Sequence, residues 1–147
     1  MARLDEALEL FGQGYSCSQA VMGAYGQDHG LDRETLLALG RGLGGGMGRL
    51  GLTCGAVSGA MVVLGLACPE GDDEARRKER VYGAVGEFTA RFKASHGSII
   101  CRDLLELDIS DPADYELIKQ RGLFKSLCPR LVADAGRILE EIIAAGI

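Results

Sequence analysis

Apolar residues return along this chain at every third or fourth position, and nowhere do they alternate with polar ones long enough to build a strand. The pattern predicts helices near 3–12, 16–28, 32–42, 53–67, 73–95, 98–107, 112–121 and 128–145. Val81, Ala84, Val85, Phe88 and Phe92 show the spacing most clearly, as one apolar stripe on the fifth segment. Cap chemistry supports several starts. Asp32 precedes the third segment, Thr53 is placed to cap the fourth, and Asp111-Pro112 pairs an N-cap acceptor with proline at the first helical position. Gly30, Gly40, Gly97, Gly122 and Gly146 mark helix ends. The expected fold class is all-α: a compact multi-helix bundle, with residues 1–147 forming a single helical domain.

The segment 51–68, GLTCGAVSGAMVVLGLAC, carries no charge at all. About 18 apolar residues approach the length of a membrane span. Four glycines interrupt this one, Gly51, Gly55, Gly59 and Gly65, and Pro69, Glu70, Asp72 and Asp73 follow it. No membrane span is expected. A helix that is apolar all round inside a small protein is buried at the centre, and Gly55 and Gly59, four apart, let neighbouring helices approach it closely.

A length of 147 residues supports a sizeable core, and 47% hydrophobic residues with 25% charged ones is a globular composition. The net charge of −5, from 16 basic and 21 acidic residues, argues against a nucleic-acid groove or a polybasic membrane contact. Arg76-Arg77-Lys78 lies among acidic neighbours and reads as a solvated helix face. The N-terminus, MARLDEALELF, lacks the apolar core of a signal peptide, which points to the cytoplasm. Cysteines in a reducing compartment are core residues, redox thiols or metal ligands more often than permanent disulfides.

Residues 40–51, GRGLGGGMGRLG, are the most glycine-dense stretch. They match GxGxxG twice, but a dinucleotide site needs a preceding strand and the context here is helical. The stretch reads instead as a tight backbone approach in front of Cys54, with N–H groups suited to an anion or a sulfur.

The cysteines carry the chemistry. Cys17, Cys54, Cys101 and Cys128 each fall in or just before the first turn of a predicted helix, mostly on its apolar face. The partial positive charge of a helix N-terminus favours thiolate there. These are the second, fourth, sixth and eighth predicted helices, so alternating up-and-down packing would bring all four sulfurs to one end. Cys68 ends the central helix and stands outside this set. There is no CxxC, and the gaps match no common zinc or ferredoxin spacing. His96, five residues before Cys101, is a candidate ligand, a base for the thiol, or part of a helix cap. His29 reads as a helix-end residue.

Taken in order, GYSCSQAV around Cys17, GGGMG…CGAVSG around Cys54, HGSIICRDLL around Cys101 and the late Cys128 resemble a family of redox-active proteins named for the pattern C…GCAxxG…C…C. The resemblance covers nearly the whole chain. It places the family's cysteines on Cys17, Cys54, Cys101 and Cys128, and its short motif on Cys54, Gly55, Ala56 and Gly59. The chain reads Cys-Gly-Ala where the family's name reads Gly-Cys-Ala. The resemblance implies a redox role in electron transfer.

Three functions fit the residues. The first is a redox protein whose four cysteines ligate an iron–sulfur cluster or another thiophilic metal, with Gly55, Gly59 and His96 contributing to cofactor binding. The second is a thiol–disulfide protein using the same cysteines as its catalytic residues. The third is a non-catalytic helical scaffold whose cysteines are only core. The redox partner protein is not specified by the sequence. A homodimer suits a small apolar bundle, although no sequence feature fixes it.

Overall fold

The computed structural model describes residues 2–147. Ten helical segments follow in order: α1 (Arg3–Gly12), α2 (Cys17–Tyr25), α3 (Arg33–Gly40), α4 (Gly44–Met47), α5 (Gly55–Ala67), α6 (Glu74–His96), α7 (Cys101–Leu105), α8 (Pro112–Gln120), α9 (Leu123–Ser126) and α10 (Cys128–Ala145). A 3-10 turn, Gly26–His29, extends α2. Among the described residues there is no strand, only an isolated antiparallel bridge between Thr53 and Ile100. The expected all-α class is what the chain adopts.

The centre is a pair of helices. α5 is buried from Gly55 to Ala60 and again at Val63 and Leu64, and α2 is buried from Ser18 to Tyr25. The two cross where α5 has no side chains. A Cβ on Gly59 would lie 3.0 Å from the carbonyl oxygen of Ser18 and 3.2 Å from its Cα. One on Gly55 would lie 3.0 Å from the Ser18 amide nitrogen and 3.3 Å from the Cys17 Cβ. The small residues of CGAxxG therefore bring the start of α5 against the start of α2. Ser18 and Gln19 are buried because they finish a neighbour's backbone: the Ser18 hydroxyl donates to Gly40 O at 2.8 Å, and the Gln19 amide to Leu37 O at 3.0 Å. Both carbonyls belong to the last turn of α3, where helical partners run out; Gly40 O also accepts from the Leu43 amide at 3.1 Å. Around the central pair lie α1, α3, α6 and α10, with Phe88, Phe92, Leu10, Leu36 and Leu139 filling the space between.

A second, smaller apolar cluster lies beside the main one. It joins Cys101, Leu105, Ile109, Ile118 and Cys128, with Tyr115, Leu123 and Phe124 at its edge. Cys54 belongs to the main core, and Cys17 packs against both clusters. The four cysteines thus mark the seam between the two.

Most ends follow the expected caps. Asp32 accepts from the Thr35 amide at 2.8 Å and Asp111 from the Asp114 amide at 3.0 Å. Gly97 ends α6 with φ +85° and Gly146 ends α10 with φ +93°. Two expectations are corrected. Thr53 does not cap α5: Cys54 holds the N-cap position, and Thr53 pairs with Ile100 instead. Gly40 does not end α3 as a left-handed cap. It is the last helical residue, kept small because a Cβ there would come 3.2 Å from the Gln19 Cα.

No helix among the described residues is long and apolar enough to cross a membrane. α5 has the composition for one, but it is a 13-residue element buried in protein.

Candidate functional site

Each of the four motif cysteines begins a helix. Cys17, Cys101 and Cys128 are the first residues of α2, α7 and α10, and Cys54 is the N-cap of α5. Ser16 sets the first of these starts. It accepts from the Gln19 amide while Gln19 Oε1 accepts from the Ser16 amide at 3.0 Å, a reciprocal capping box spelled by SCSQ.

Cys54 and Cys101 are positioned by backbone. The Cys54 N–H donates to Ile99 O at 2.8 Å, the Cys101 N–H to Leu52 O at 2.6 Å, and the Arg102 N–H to Gly51 O at 3.2 Å. The glycine-rich loop supports this clamp from behind. Gly46 has φ +70°, and a Cβ there would fall 2.6 Å from the Cys101 Cβ and 2.7 Å from the Leu52 nitrogen. A Cβ on Gly44 would come 2.5 Å from the Ser16 Cβ. The loop is threaded between the starts of α2 and α7, and that narrow passage accounts for its glycines.

Alternating up-and-down packing does not explain the convergence. α4, α7 and α9 are single turns that cannot cross a bundle. The clamp, the close α2–α5 crossing and the α9–α10 connection gather the cysteines instead.

The result is a cavity of about 860 Å³ with all four thiols on its wall. Phe11, Tyr15, Tyr115 and Phe124 supply aromatic surface, and Arg41, Arg49 and Lys125 bring positive charge. Every pair of the four thiols is within electrostatic reach. All four cysteines are free thiols.

Their acidities diverge. The Cys17 thiol donates towards Cys128, and that hydrogen bond together with burial holds Cys17 well above the ordinary thiol range. The same hydrogen bond stabilises the Cys128 thiolate and draws Cys128 below that range, against burial. Cys17 keeps some surface open to the cavity, but protein surrounds its sulfur. Cys128 also begins the longer helix, of 18 residues against 9, whose dipole favours the anion further. Burial pushes Cys54 up to about 11, although the Ala56 and Val57 amides approach its sulfur and oppose the rise. Burial and the neighbouring Cys54 and Cys128 push Cys101 up to about 12. The expectation that a helix N-terminus makes each cysteine acidic is therefore corrected for three of the four, because desolvation outweighs the dipole.

The other sequence candidates separate. Gly55 lines the cavity, whereas Gly59 lies a turn deeper, against Ser18. His96 is away from the cavity lining. It ends α6 with its ring against Phe92 and its Nε2 2.8 Å from an Asp134 carboxylate oxygen, without the alignment of a hydrogen bond. Cys68 also stands apart, with its Sγ 3.8 Å from Pro69 O and 3.9 Å from Arg77 O. Sequence reading missed Tyr15, Arg41, Arg49, Tyr115, Phe124 and Lys125 as cavity residues, and only the SCSQ capping signal was there to be read near them.

Among the described residues, no three His, Cys, Asp or Glu side chains stand close enough to share one metal ion.

The chain is thus an all-helical protein with four helix-initiating cysteines around one cavity. The chain belongs to the family described as "Putative redox-active protein (C_GCAxxG_C_C)", whose model matches residues 15–142. That span includes all four cysteines. No curated protein and no solved structure matches the chain.

Proposed function

We propose that the cavity is a dithiol–disulfide redox centre in which Cys128 is the attacking thiolate and Cys17 the resolving thiol. The observation that carries this is the placement of Cys17 and Cys128: two free thiols, each the first residue of its helix, on the wall of one cavity. Their interaction draws Cys128 towards thiolate while Cys17 holds its proton. Thiolate is the reactive species in exchange, and a thiol with a pKa near ambient pH attacks fastest. Attack by the Cys128 thiolate on a disulfide RS–SR forms a mixed disulfide and releases RS⁻. Cys17 then attacks the Cys128 sulfur, its proton passes to the departing thiolate, and RSH leaves. The sum is one substrate disulfide reduced by two electrons and one Cys17–Cys128 disulfide formed. Cys54 and Cys101 stay protonated near neutral pH, next to the reacting pair.

The test is a thiol count with peptide mapping after treatment with one equivalent of a small disulfide. Exchange predicts that two of the five thiols disappear and that the new bond joins Cys17 to Cys128. A count that stays at five sinks the proposal.

One observation favours a second function, a four-cysteine iron–sulfur site for electron transfer: all four thiols wall one cavity. A cluster is larger than a single ion, and its ligands need not meet at one metal. Cys17, Cys54, Cys101 and Cys128 would hold it, and it would supply one-electron chemistry. Visible absorption with iron, zinc and acid-labile sulfide assays on anaerobically purified protein separates the two. Brown protein with iron and sulfide favours the cluster, and colourless metal-free protein favours exchange. A scaffold with core cysteines predicts that Cys17→Ser and Cys54→Ser lower stability and change no redox property.

A further inference from the structure

The cavity that holds the thiols has a one-sided charge. Arg41, Arg49 and Lys125 line it, and no aspartate or glutamate does. Composition does not explain this, because acidic residues outnumber basic ones by 21 to 16. Arg41 and Arg49 stand near the two ends of the glycine-rich loop, and Lys125 lies on α9. None of them makes an ion pair with a described residue, whereas Arg3, Arg77, Arg80, Arg91 and Arg137 all do. Arg49 is held in place, with its guanidinium 4.8 Å from the centre of the Tyr115 ring, and Tyr115 in turn packs against Phe124. Arg49 and this aromatic pair thus share one cavity wall with the four sulfurs. Cationic lining focuses anions and raises their local concentration. A volume of about 860 Å³ falls within the range of small-molecule sites.

We propose that this cavity binds small anionic molecules with an apolar middle, and that its redox substrate is a low-molecular-weight disulfide bearing carboxylate or similar acidic ends. The redox half rests on the exchange function proposed above, and the anion selectivity does not. Arg41, Arg49 and Lys125 hold the acidic ends and the aromatic wall takes the body, in the cavity whose wall carries Cys17 and Cys128. The step is the balanced exchange already written: the substrate disulfide takes two electrons, and Cys17 and Cys128 become oxidised.

The test uses three disulfides of nearly equal length and different charge: 3,3′-dithiodipropionate, bis(2-hydroxyethyl) disulfide and cystamine. Each second-order rate for loss of thiols is divided by the same disulfide's rate with a free small thiol, which removes leaving-group differences. The expected order of these relative rates is dianion, then neutral, then dication. Electrostatic focusing sets the expected gap between the extremes at roughly tenfold or more at low ionic strength. The ratio of dianion to neutral rate should fall towards one in the Arg41→Gln/Arg49→Gln/Lys125→Gln variant. It should stay high in an Arg33→Gln/Lys78→Gln/Lys93→Gln control that removes equal charge elsewhere. Equal relative rates for all three compounds, or a faster dication, overturn the substrate class. A second measurement needs no sulfur chemistry: titration calorimetry with suberate and with 1,6-diaminohexane, the carbon isosteres of the dianion and the dication. Saturable suberate binding that the cavity variant loses, with none for the diamine, supports the anion site even if no disulfide reacts. Absence of suberate binding overturns the anion site, and an unreactive dithiodipropionate alongside suberate binding overturns only the exchange.

Discussion

Cys54 and Cys101 are fastened to each other through their backbones: the N–H of each donates to a carbonyl just before the other, at 2.8 Å to Ile99 and 2.6 Å to Leu52. Two cysteines 47 positions apart in sequence are thereby held by main chain, whatever their sulfurs do. Gly46 is wedged against this clamp with φ +70°. Gly46→Ala combines a disfavoured backbone conformation with overlap on the Cys101 Cβ, and overpacking of this kind costs about 1–3 kcal/mol. Urea unfolding should show that loss, and Cys101 should become easier to alkylate in the variant.

Alkylation should also rank the thiols by pH. Cys128 lies below its ordinary range, while Cys54 and Cys101 are pushed up to about 11 and about 12. Near pH 8, iodoacetamide should label Cys128 at least about tenfold faster than either of them, since only thiolate reacts and the more acidic thiolate is the weaker nucleophile. Cys17→Ala removes the hydrogen-bond donor, so the Cys128 labelling profile should move to higher pH. Mass spectrometry of quenched time points reads both, and a Cys128 profile unmoved by Cys17→Ala contradicts the shared proton.

Alkaline stability follows from the same shifts. Cys54 and Cys101 keep their protons in the folded protein above pH 9, where the unfolded chain gives them up. The folded state then binds more protons, so stability is complete below pH 9 and declines as pH rises towards 11 and 12. A two-unit rise at Cys54 alone corresponds to roughly 3 kcal/mol. Denaturant midpoints from pH 8 to pH 11 should fall, and fall less steeply in Cys54→Ser.

Two glycines on α5 separate close approach from simple helix propensity. Gly59 faces the Ser18 backbone at 3.0 Å, whereas nothing lies within 4 Å of a Cβ on Gly65. Gly59→Ala should destabilise by about 1–3 kcal/mol, because backbone must move. Gly65→Ala should be neutral or stabilise by up to about 1 kcal/mol, by restricting the unfolded chain. Thermal melts compare the pair directly.

Cys68 sits beside Pro69 and Arg77, away from the other four thiols. Cys68→Ser should therefore leave the disulfide-exchange rate and the Cys17–Cys128 bond unchanged. Peptide mapping that finds Cys68 in the oxidised pair would contradict this.

The long helices, most of their caps and the placement of four cysteines at helix starts were legible in the sequence alone. Those features are local: the period of Val81, Ala84, Val85, Phe88 and Phe92, the capping box of SCSQ, and the Asp111-Pro112 start depend on neighbours a few residues away. The sequence also marked Gly55 and Gly59 as points of close approach. Only the tertiary structure decided what the cysteines are like. A helix N-terminus favours thiolate at each position, but burial depends on what packs over it, and burial prevails at Cys54 and Cys101 while the Cys17 hydrogen bond prevails at Cys128. The cavity's charge was likewise hidden, because no sequence period connects Arg41 and Arg49 in the glycine-rich loop with Lys125 on α9. His96 stayed ambiguous for the same reason: five residues from Cys101 in sequence, it points to Asp134 on α10 once the helices are packed.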